Sequence, residues 1–414
     1  MSKKRVVVTG MGVITPIGST ISEYWNSLVA GKSGIEKITR YDVSEFSAQI
    51  AGEIKDFEPE KYDIDSKLAK RIDTFILYAL AASKEAFESS GLDMEKENSF
   101  RCGTIIGSGM GGLFTIEKEH IKLREKGPRR VSPFLVPGMI IDMAAGQVAI
   151  KYGLNGLNYA VVSACASSAH AIGDSFKMIQ SGVADVIFGG GTEYCTTPLG
   201  LAGFCSAKAL STRNDDPQKA SRPFDAERDG FVMSEGAGII VLEELEHAKN
   251  RGANILAEVV GYGATADAYH MTAPHPDGAG GINAMKMAIE DAGLKPEEVD
   301  YINAHGTSTS LNDKIETGVI KSVFGDHARK LAINSTKSMT GHLLGAAGVV
   351  EIIATIKTIN EGVLHPTINY ENPDPECDLD YVPNEAREQE INVGLSNSLG
   401  FGGHNAAVIV KKYS

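Results

Sequence analysis

Two kinds of block alternate along the chain. Short runs rich in β-branched residues, such as RVVVTG (5–10) and DVIFGGG (185–191), are separated by longer segments whose apolar residues recur with a helical period. This alternation predicts an α/β protein in which helices pack on parallel or mixed sheets. The other strand-like runs are CGTIIGSG, NYAVVSA and GAGIIVLEE in the first half, and NILAEVVGYG, VDYINAHGT, KLAINST, INVGLSNS and AAVIVKK in the second.

Two of the predicted helices have clear ends. One begins at Asp73, a residue type favoured as an N-cap, and stops at Gly91, which suits a left-handed C-cap. The other, GGINAMKMAIEDAGL (280–294), repeats the small residues at its entry and the glycine at its exit. We therefore expect both segments to be helices in the fold.

A third pattern occurs twice. A strand ends in a polar turn and continues into a Gly/Ala-rich helix at 161–182, and again at 331–362. This repetition suggests an internal duplication, although the two segments share no visible identity. Because the charged helical segment 243–255 precedes a new strand run, we place the boundary between two halves near residue 250, giving 1–250 and 251–414.

Composition and charge narrow the functional class. At 414 residues and 43% hydrophobic content, the chain can bury a large core. Its net charge of −13 argues against nucleic-acid binding and against anionic membranes, because both need a basic field. The apolar stretch that follows Arg5 is interrupted by Gly10, Gly12 and Pro16, so it predicts neither a signal peptide nor a membrane span, and we expect a cytoplasmic protein.

Cysteine usage points to free thiols and to one candidate nucleophile. The five cysteines are odd in number and scattered, without a CxxC pair, so neither a disulfide framework nor a zinc site is indicated. Cys165 lies where a strand gives way to a helix that runs to about Gln180. Free N–H groups in a first helical turn stabilise a thiolate, and the small neighbours of Cys165 leave room for substrate. Space-filling roles are expected for Cys102, Cys195, Cys205 and Cys377.

Two histidines occupy comparable positions. His305 ends the strand-like run DYINAHGTSTS, and His342 lies in STKSMTGHLLGAAG just before a helix. Each alone could be an ordinary turn histidine, but both lie at strand–turn–helix junctions like the one that carries Cys165. We therefore predict a site formed by Cys165, His305 and His342. The absence of HExxH spacing in the sequence gives no support to a zinc site.

Two charged residues accompany the histidines. Lys337 precedes His342 by five residues and is either a solvated lysine or a cation that tunes the charge of the pocket. Glu351 lies among apolar residues in GAAGVVEIIATI, and a buried carboxylate requires a partner or a proton. The rise of a helix places it about 13 Å from His342, so we expect its partner on another element.

Glycine-rich segments permit two further interpretations. Gly10 and Gly12 follow the first strand, as in a dinucleotide-binding turn, but Thr15 stands where the third glycine of GxGxxG belongs. The segment GFGG (400–403) predicts a tight turn whose backbone N–H groups point into the site, as in an oxyanion hole.

Together, five motifs resemble the elongating β-ketoacyl-acyl-carrier-protein synthases. They are SACASS (163–168), RPFDAERDGFVMSEGAG (222–238), NAHGTST (303–309), STKSMTGHLLGAAG (335–348) and SNSLGFGGHNAAV (396–408). The resemblance implies a thiolase-like fold with two related αβαβα halves, a homodimer, no cofactor, and an acyl carrier protein as partner in its acyl and malonyl forms. It also implies the decarboxylative Claisen condensation of fatty acid synthesis, for which a thiol and two neutral imidazoles are suitable groups.

The resemblance assigns roles residue by residue. Cys165 would be the nucleophile, His305 and His342 the paired histidines, Lys337 and Glu351 supporting charges, and Phe401 the gate whose N–H joins that of Cys165 in the oxyanion hole. The acyl pocket would include Met110, Leu135, Phe204 and Phe231. The carrier protein would dock on Lys67, Lys70, Arg71, Arg129, Arg130 and Lys208, and a structural monovalent cation would lie near Asn303 and Glu351.

Two departures and three alternatives accompany the resemblance. His404 stands where many members have Thr, and Leu399 where many have Phe, which affects the shape expected near the gate. A polyketide-type ketosynthase would use the same three residues. A chain-length partner subunit would lack Cys165, and a nicotinamide dehydrogenase would rest on Gly10 and Gly12 alone. The sequence does not reveal the preferred acyl chain length.

Overall fold

The computed structural model describes residues 3–414, which form fourteen strands and thirteen α-helices. The strands are β1 (Val6–Ile14), β2 (Ile35–Lys37), β3 (Ile50–Gly52), β4 (Cys102–Gly107), β5 (Asn158–Val161), β6 (Val186–Glu193), β7 (Gly236–Glu244), β8 (Ala257–Ala266), β9 (Tyr301–Asn303), β10 (Ala332–Asn334), β11 (Val363–Leu364), β12 (Arg387–Glu388), β13 (Val393–Gly400) and β14 (His404–Lys411).

The helices are α1 (Ile21–Val29), α2 (Ser66–Ala69), α3 (Thr74–Ser90), α4 (Leu113–Lys126), α5 (Leu135–Met139), α6 (Met143–Tyr152), α7 (Ser167–Gln180), α8 (Pro198–Ser206), α9 (Leu245–Asn250), α10 (Ala279–Asp291), α11 (Ser310–Phe324), α12 (Lys337–Thr340) and α13 (Ala347–Glu361). Across residues 3–414, we find no helix with both the length and the apolar character needed to cross a membrane.

The predicted ends of both helices are confirmed. The Asp73 side chain accepts a hydrogen bond from the backbone N–H of Phe75 at the start of α3, and Gly91 ends that helix with a φ of 66°. Gly293 follows α10 with a φ of 67°. These caps follow from local chemistry, which is why the sequence locates them well.

All ten predicted strands lie in one large mixed sheet of order β10-β9-β13-β14-β8-β1-β7-β6-β4-β5. Two pairs outside it, β2–β3 and β11–β12, were not predicted from the sequence. The fully buried central strands contain near-continuous apolar residues because helices cover both faces of the sheet.

The strand order repeats, which confirms the internal duplication. Outward from the centre, one half of the sheet reads β1-β7-β6-β4-β5 and the other reads β8-β14-β13-β9-β10. In each half, the strand second from the edge runs parallel to both of its neighbours. The halves meet where β1 pairs antiparallel with β8, and the chain crosses between them after α9, whose last residue is Asn250.

Helices complete the layers around the two halves. α7 and α13 contact each other and strands of both halves, so they form a central layer. α3 covers β1 and β7 on one outer side, and α10 covers β8 and β14 on the other. This is the predicted duplicated αβαβα arrangement, and it brings the N-terminal ends of α7 and α13 together in the middle of the molecule.

The two early glycines serve helix packing. A Cβ at Gly10 or Gly12 would lie 2.2 or 2.1 Å from a carbonyl oxygen of α3. The equivalent strand β8 has Gly261 and Gly263, where a Cβ would lie 2.2 or 2.0 Å from a carbonyl oxygen of α10. Both pairs are inside strands and allow a helix to approach closely, so the dinucleotide-binding interpretation of Gly10 and Gly12 is wrong.

Candidate active site

Cys165 lies in a single 3-10 turn, Ala164–Ala166, between β5 and α7. The helix therefore begins two residues after Cys165, not before it as predicted. Ala164 has a φ of 51°, in the left-handed region, and such a residue persists only when its surroundings hold it. Here the Ser167 hydroxyl donates to the Ala164 carbonyl (2.7 Å) and accepts from the Ser163 N–H (2.9 Å), which fixes the turn.

The electrostatics of Cys165 differ from the sequence prediction. Burial raises the pKa of its thiol to about 12, although Lys337 and the backbone N–H groups of Phe401 and Cys165 act in the opposite direction. The prediction of a stabilised thiolate is therefore wrong for the resting site. The apolar surroundings disfavour a bare charge on sulfur more strongly than the turn's N–H groups stabilise it.

His305 and His342 come together as predicted. His305 follows β9, His342 follows α12, and their ring centroids are 5.4 Å apart with the rings nearly perpendicular. Each residue is only 2% exposed. Burial lowers the pKa of both imidazoles well below the usual range, and the Lys337 ammonium lowers it further, so both rings are neutral near pH 7.

Hydrogen bonds also define which ring nitrogen carries the proton. The Leu344 N–H lies 3.3 Å from Nδ1 of His342, and the Lys337 Nζ lies 3.3 Å from Nδ1 of His305. Because both neighbours are donors, both Nδ1 atoms accept, and each proton is on Nε2. The site thus has two neutral N–H donors suited to a developing oxyanion.

Lys337 is buried between His305 and Glu351. Its side chain is 2% exposed, donates to the His305 carbonyl oxygen at 2.6 Å and forms an ion pair with the Glu351 carboxylate. Burial raises the pKa of Glu351 to about 7, and Lys337 opposes that shift. Glu351 therefore has its partner on another element, as expected, and Lys337 is not a solvated lysine.

A second buried carboxylate, which the sequence analysis missed, holds the turn after β9. Glu316 on α11 accepts from the backbone N–H groups of His305 (2.7 Å) and Gly306 (2.8 Å) and from the Asn397 side chain (2.8 Å). A charged residue on the buried face of α11, beside Val319 and Ile320, was the available signal. Glu316 fixes the backbone that carries His305.

Cys165, His305 and His342 line one cavity of about 460 Å³. Phe401, Met110, Phe204 and Phe231 line it too, and the rings of Phe204, Phe231 and His342 follow one another at centroid distances of 5.3 Å. Leu135 does not line the cavity of this chain. It lies half-buried in α5, between the more exposed Phe134 and Val136.

Polar residues at the cavity were missed from the sequence. Thr307 and Thr309, whose hydroxyls are 2.9 Å apart, follow His305 by two and four residues, so position in the motif was the available signal. Asn312 also lines the cavity. Several cavity residues, among them Lys208 and Leu311, are exposed to solvent, so the cavity opens to the surface beside them.

The GFGG segment is a tight turn between β13 and β14. Gly402 and Gly403 have φ values of 85° and 76°, which favour glycine. A Cβ at Gly400 would lie 3.2 Å from the backbone nitrogen of Cys165, so the turn packs directly against Cys165. Phe401 is 37% exposed, at the edge of the cavity.

The two positions that depart from the resembled family lie beside this turn. Leu399 lines the cavity. His404 lies outside it and packs edge-on against His170, with ring centroids 6.4 Å apart. Nδ1 of His170 lies 2.6 Å from the Ser163 hydroxyl, so His404 contacts the residues behind the nucleophile turn.

The predicted docking residues are all exposed. Lys67 lies on α2, Arg129 and Arg130 lie in the 3-10 turn after α4, and Lys208 lies at the mouth of the cavity. Lys70 and Arg71 directly follow α2, and the Arg71 guanidinium lies 4.8 Å from the centroid of the Phe134 ring.

The predicted cation site offers unpartnered oxygen atoms. Glu351 Oε2 and Asn397 Oδ1 are buried without a hydrogen-bond partner, and uncharged or carboxylate oxygens are the ligands that hard cations prefer. The Asn303 side-chain oxygen instead accepts from the Thr336 hydroxyl at 3.1 Å. The donor set therefore fits a monovalent cation at Glu351 and Asn397 better than at the Asn303 side chain.

Clusters of three or more His, Cys, Asp or Glu side chains that could hold a metal ion do not occur within residues 3–414.

Comparison with known proteins identifies matches over nearly the whole chain. Residues 3–248 match the family described as Beta-ketoacyl synthase, N-terminal domain, and residues 256–371 match Beta-ketoacyl synthase, C-terminal domain. The 3-oxoacyl-[acyl-carrier-protein] synthase 2 of Synechocystis sp. is 54% identical over 413 residues, covering 100% of this chain and 99% of the relative. The protein of that name from Coxiella burnetii is 52% identical over 412 residues, with the same coverage.

A solved structure is similar over its full length. It is a type II polyketide synthase acyl-carrier protein in complex with its ketosynthase, which is bound to the hexaketide. That ketosynthase chain is 36% identical, superposes with a TM-score of 0.92, and each chain covers 100% of the other. The fold described above is thus that of a ketosynthase.

The raised pKa of Cys165 leads to a testable expectation. We expect iodoacetamide to alkylate Cys165 at a rate that still rises with pH between pH 8 and pH 10, because the reactive thiolate stays scarce until the pH approaches the pKa. Peptide mapping by mass spectrometry at each pH measures the rate for each cysteine. Loss of activity should follow labelling of Cys165 and not of Cys205, the other cysteine that is only partly buried. A Cys165 rate that levels off below pH 8 would show that its pKa is lowered.

Proposed function

Because the chain belongs to the β-ketoacyl synthase family, we propose that it catalyses the decarboxylative Claisen condensation of fatty acid synthesis. An acyl group held on Cys165 is joined to the two-carbon unit of malonyl-acyl-carrier protein, giving 3-oxoacyl-acyl-carrier protein by a ping-pong route. The observation that carries the proposal is one largely apolar cavity that is lined by a thiol and two neutral imidazoles.

In the first half-reaction, the Cys165 sulfur attacks the carbonyl carbon of the acyl thioester. The backbone N–H groups of Cys165 and Phe401, which stabilise negative charge at the sulfur, also suit the oxygen of the tetrahedral intermediate. When that intermediate collapses, the bond to the carrier's sulfur breaks, and the Cys165 proton leaves with the carrier thiol. The acyl group then lies on Cys165, beside Met110 and Phe231.

In the second half-reaction, the malonyl thioester loses CO2, and the electron pair of the broken bond forms an enolate. The Nε2–H groups of His305 and His342 donate hydrogen bonds to the enolate oxygen. Each imidazole is neutral and keeps its proton while it does so. The enolate carbon attacks the acyl carbonyl on Cys165, and collapse of the second tetrahedral intermediate returns the electron pair to sulfur, which takes up a proton again. Lys337 holds the His305 tautomer, and Glu351 balances the charge of Lys337.

The rival functions are less well supported. A chain-length partner subunit would lack the nucleophile, whereas Cys165 stands here in a formed turn beside both histidines. A polyketide-type ketosynthase would use the same geometry, but the relatives that carry the fatty-acid name are 52–54% identical, against 36% for the polyketide ketosynthase.

We also propose that the acidic carrier protein docks on the six exposed basic residues that the resemblance assigns to docking. Carrier and enzyme would repel each other globally, since this chain has a net charge of −13, so a local basic surface has to attract the carrier. The position of Lys208 at the cavity mouth supports this surface, because a carrier bound there could deliver its thioester to Cys165.

The unpaired edge of the sheet at β5 supports the proposal of a homodimer. β5 pairs with β4 on one side only, and Val162, directly after β5, is 55% exposed. An apolar edge strand tends to pair with another strand, and a second copy of β5 related by a twofold axis would cover it. The active-site turn begins three residues after β5, so this contact would support Cys165.

We also propose that the enzyme lies in the cytoplasm, in keeping with five free cysteines.

Two further assignments belong to this proposal. The chain is divided into an N-terminal half (1–250) that carries Cys165 and a C-terminal half (251–414) that carries the histidine pair. A monovalent cation, when bound, would be held by Glu351 and Asn397 and would supply positive charge to that buried carboxylate. Neither half-reaction depends on this cation.

Replacing His305 or His342 with Ala tests the decarboxylation step. We expect each variant to lose malonyl decarboxylation by about 100-fold or more, because each removes one donor to the enolate oxygen. The double variant should lose little more than either single one, since both donors serve one transition state. Acyl transfer to Cys165 should persist in all three variants, as mass spectrometry of the intact protein would show. Decarboxylation at the wild-type rate in the double variant would refute the assignment.

Charge reversal tests the docking surface. We expect Arg129→Glu combined with Arg130→Glu to raise KM for carrier-bound substrate more than about tenfold. Wild-type turnover should also fall as ionic strength rises past about 0.15 M, where the Debye length is about 8 Å. A small acyl thioester without the carrier is the control, and its turnover should hardly change. Equal losses on both substrates would instead mean damage to the fold or the cavity.

The homodimer is tested by sedimentation. We expect the wild-type protein to sediment at about twice the chain mass of 44.0 kDa, and Val162→Glu to shift it toward one chain mass by placing a charge on the β5 edge. Since Val162 is exposed in the single chain, this variant should keep its fold. A wild-type protein that sediments as a single chain at micromolar concentration would exclude the dimer.

A further inference from the structure

Glu193, the last residue of β6, is a fully buried carboxylate that the mechanism above does not use. Its Oε1 accepts from the Ser108 hydroxyl (3.0 Å) and the Met110 N–H (3.1 Å). Its Oε2 accepts from the Gly109 N–H (2.7 Å) and the Gly345 N–H (2.9 Å). Four donors thus converge on one side chain, so each oxygen of this buried carboxylate has two partners.

These donors belong to two walls of the substrate cavity. Gly109 and Met110 line the cavity from the first half of the chain, and Leu344, the neighbour of Gly345, lines it from the second half. The two segments touch, since a Cβ at Gly345 would lie 2.4 Å from the Gly109 nitrogen. Oε2 of Glu193 bonds to both segments, so the carboxylate links one wall to the other.

The duplication shows which residues of the two halves occupy corresponding positions around Glu193. The turn Leu344–Ala346 before α13 is the counterpart of Ala164–Ala166 before α7, and Leu344 and Ala164 have φ values of 46° and 51°. Gly345 is therefore the counterpart of Cys165. The strand ends correspond as well, because β6 and β13 hold the same place in the two half-sheets.

The two copies differ at the strand end. Beside Cys165 stands Gly400, the last residue of β13, which packs closely on the turn but has no side chain to reach its N–H groups. Beside Gly345 stands Glu193, whose carboxylate occupies the equivalent place. One turn is thus open to a substrate carbonyl, and the other is closed by a side chain of the protein.

We propose that Glu193 is a positioning residue that fixes the Gly109–Met110 wall against the Leu344 turn and thereby sets which acyl chains reach Cys165. The inference rests on the proposed function, in which an acyl group on Cys165 lies in this cavity. Glu193 itself touches no reacting atom. It acts through Met110, whose backbone it holds and whose side chain packs with Cys165 in one apolar cluster.

The substitution Glu193→Gln tests this role with little change in shape. A glutamine has one oxygen and one NH2 group, so two of the four donors lose their acceptor whichever way the amide turns. If the NH2 group replaces Oε2, the link between the walls is lost. If it replaces Oε1, Met110 is released.

The measurement is the ratio of the rates at which a twelve-carbon and a two-carbon acyl-carrier protein acylate Cys165. Both substrates use the same sulfur and the same oxyanion donors, so general damage to the site cancels in the ratio. We expect Glu193→Gln to lower this ratio about tenfold or more, because a small displacement of the wall affects only the long chain.

Glu243→Gln is the matched control. Glu243 is also fully buried, bonds to Thr9 and Arg251, and pairs with Val186 at the opposite end of β6. This variant removes the same charge far from the cavity, so it should lower Tm and leave the ratio within about twofold of wild type. A purely structural role of Glu193 would give the same result for both variants.

The outcomes separate this inference from the proposed function. A folded Glu193→Gln protein with an unchanged ratio would overturn the positioning role. A wild-type enzyme that accepts neither acyl group on Cys165 would overturn the proposed function instead. If Glu193→Gln does not fold, Ser108→Ala removes a single donor to Oε1, and we expect a smaller fall in the same ratio. An unchanged ratio in Ser108→Ala would then count against the inference.

Discussion

The chemistry of the site depends on one buried cation. The Lys337 ammonium contacts His305, pairs with Glu351 and, after burial, is the next cause that lowers the pKa of the His305 and His342 imidazoles. Such a pair adds little net stability, because removing two charges from water costs about as much as their attraction returns. Losing one partner, however, would leave an uncompensated charge and cost about 3–5 kcal/mol. The pair is thus better understood as a device that adds to the effect of burial in keeping both histidines neutral and that holds the His305 proton on Nε2.

Duplication gives the molecule two copies of one geometry and allows them to diverge. Each half places a turn with a left-handed residue directly before a central helix, and the two turns contact each other in the middle layer. One turn carries Cys165 and lines the cavity, whereas the N–H of Gly345 in the other turn donates to the Glu193 carboxylate. The second half instead contributes His305 and His342, from the ends of β9 and α12. Neither half contains a complete site, which explains why the two halves share one sheet and one cavity.

Much of this could be predicted where a local pattern determines structure. The ten strands of the large sheet, the caps of α3 and the grouping of Cys165 with two histidines all followed from runs, caps and junctions. The failures concern tertiary contacts. Gly10 is a glycine inside β1 because the backbone of α3 approaches too closely to leave room for a side chain. The direction of the Cys165 pKa shift depends on apolar residues from distant segments. The sequence did not predict a role for Glu193, which follows a glycine-rich run, because nothing in the sequence shows that its partners come from both halves.

The apolar cavity connects the electrostatics of Cys165 with the reaction proposed for it. Surroundings that raise the pKa of the Cys165 thiol also keep water from an acyl thioester on that sulfur and from an enolate formed beside it. Water would hydrolyse the first and protonate the second. The same low dielectric strengthens the hydrogen bonds from His305 and His342 to a developing oxyanion. A site that held a stable thiolate would need a more polar environment and would lose these advantages. The resting thiol is therefore consistent with condensation, in which sulfur carries negative charge only while a bond to carbon is forming or breaking.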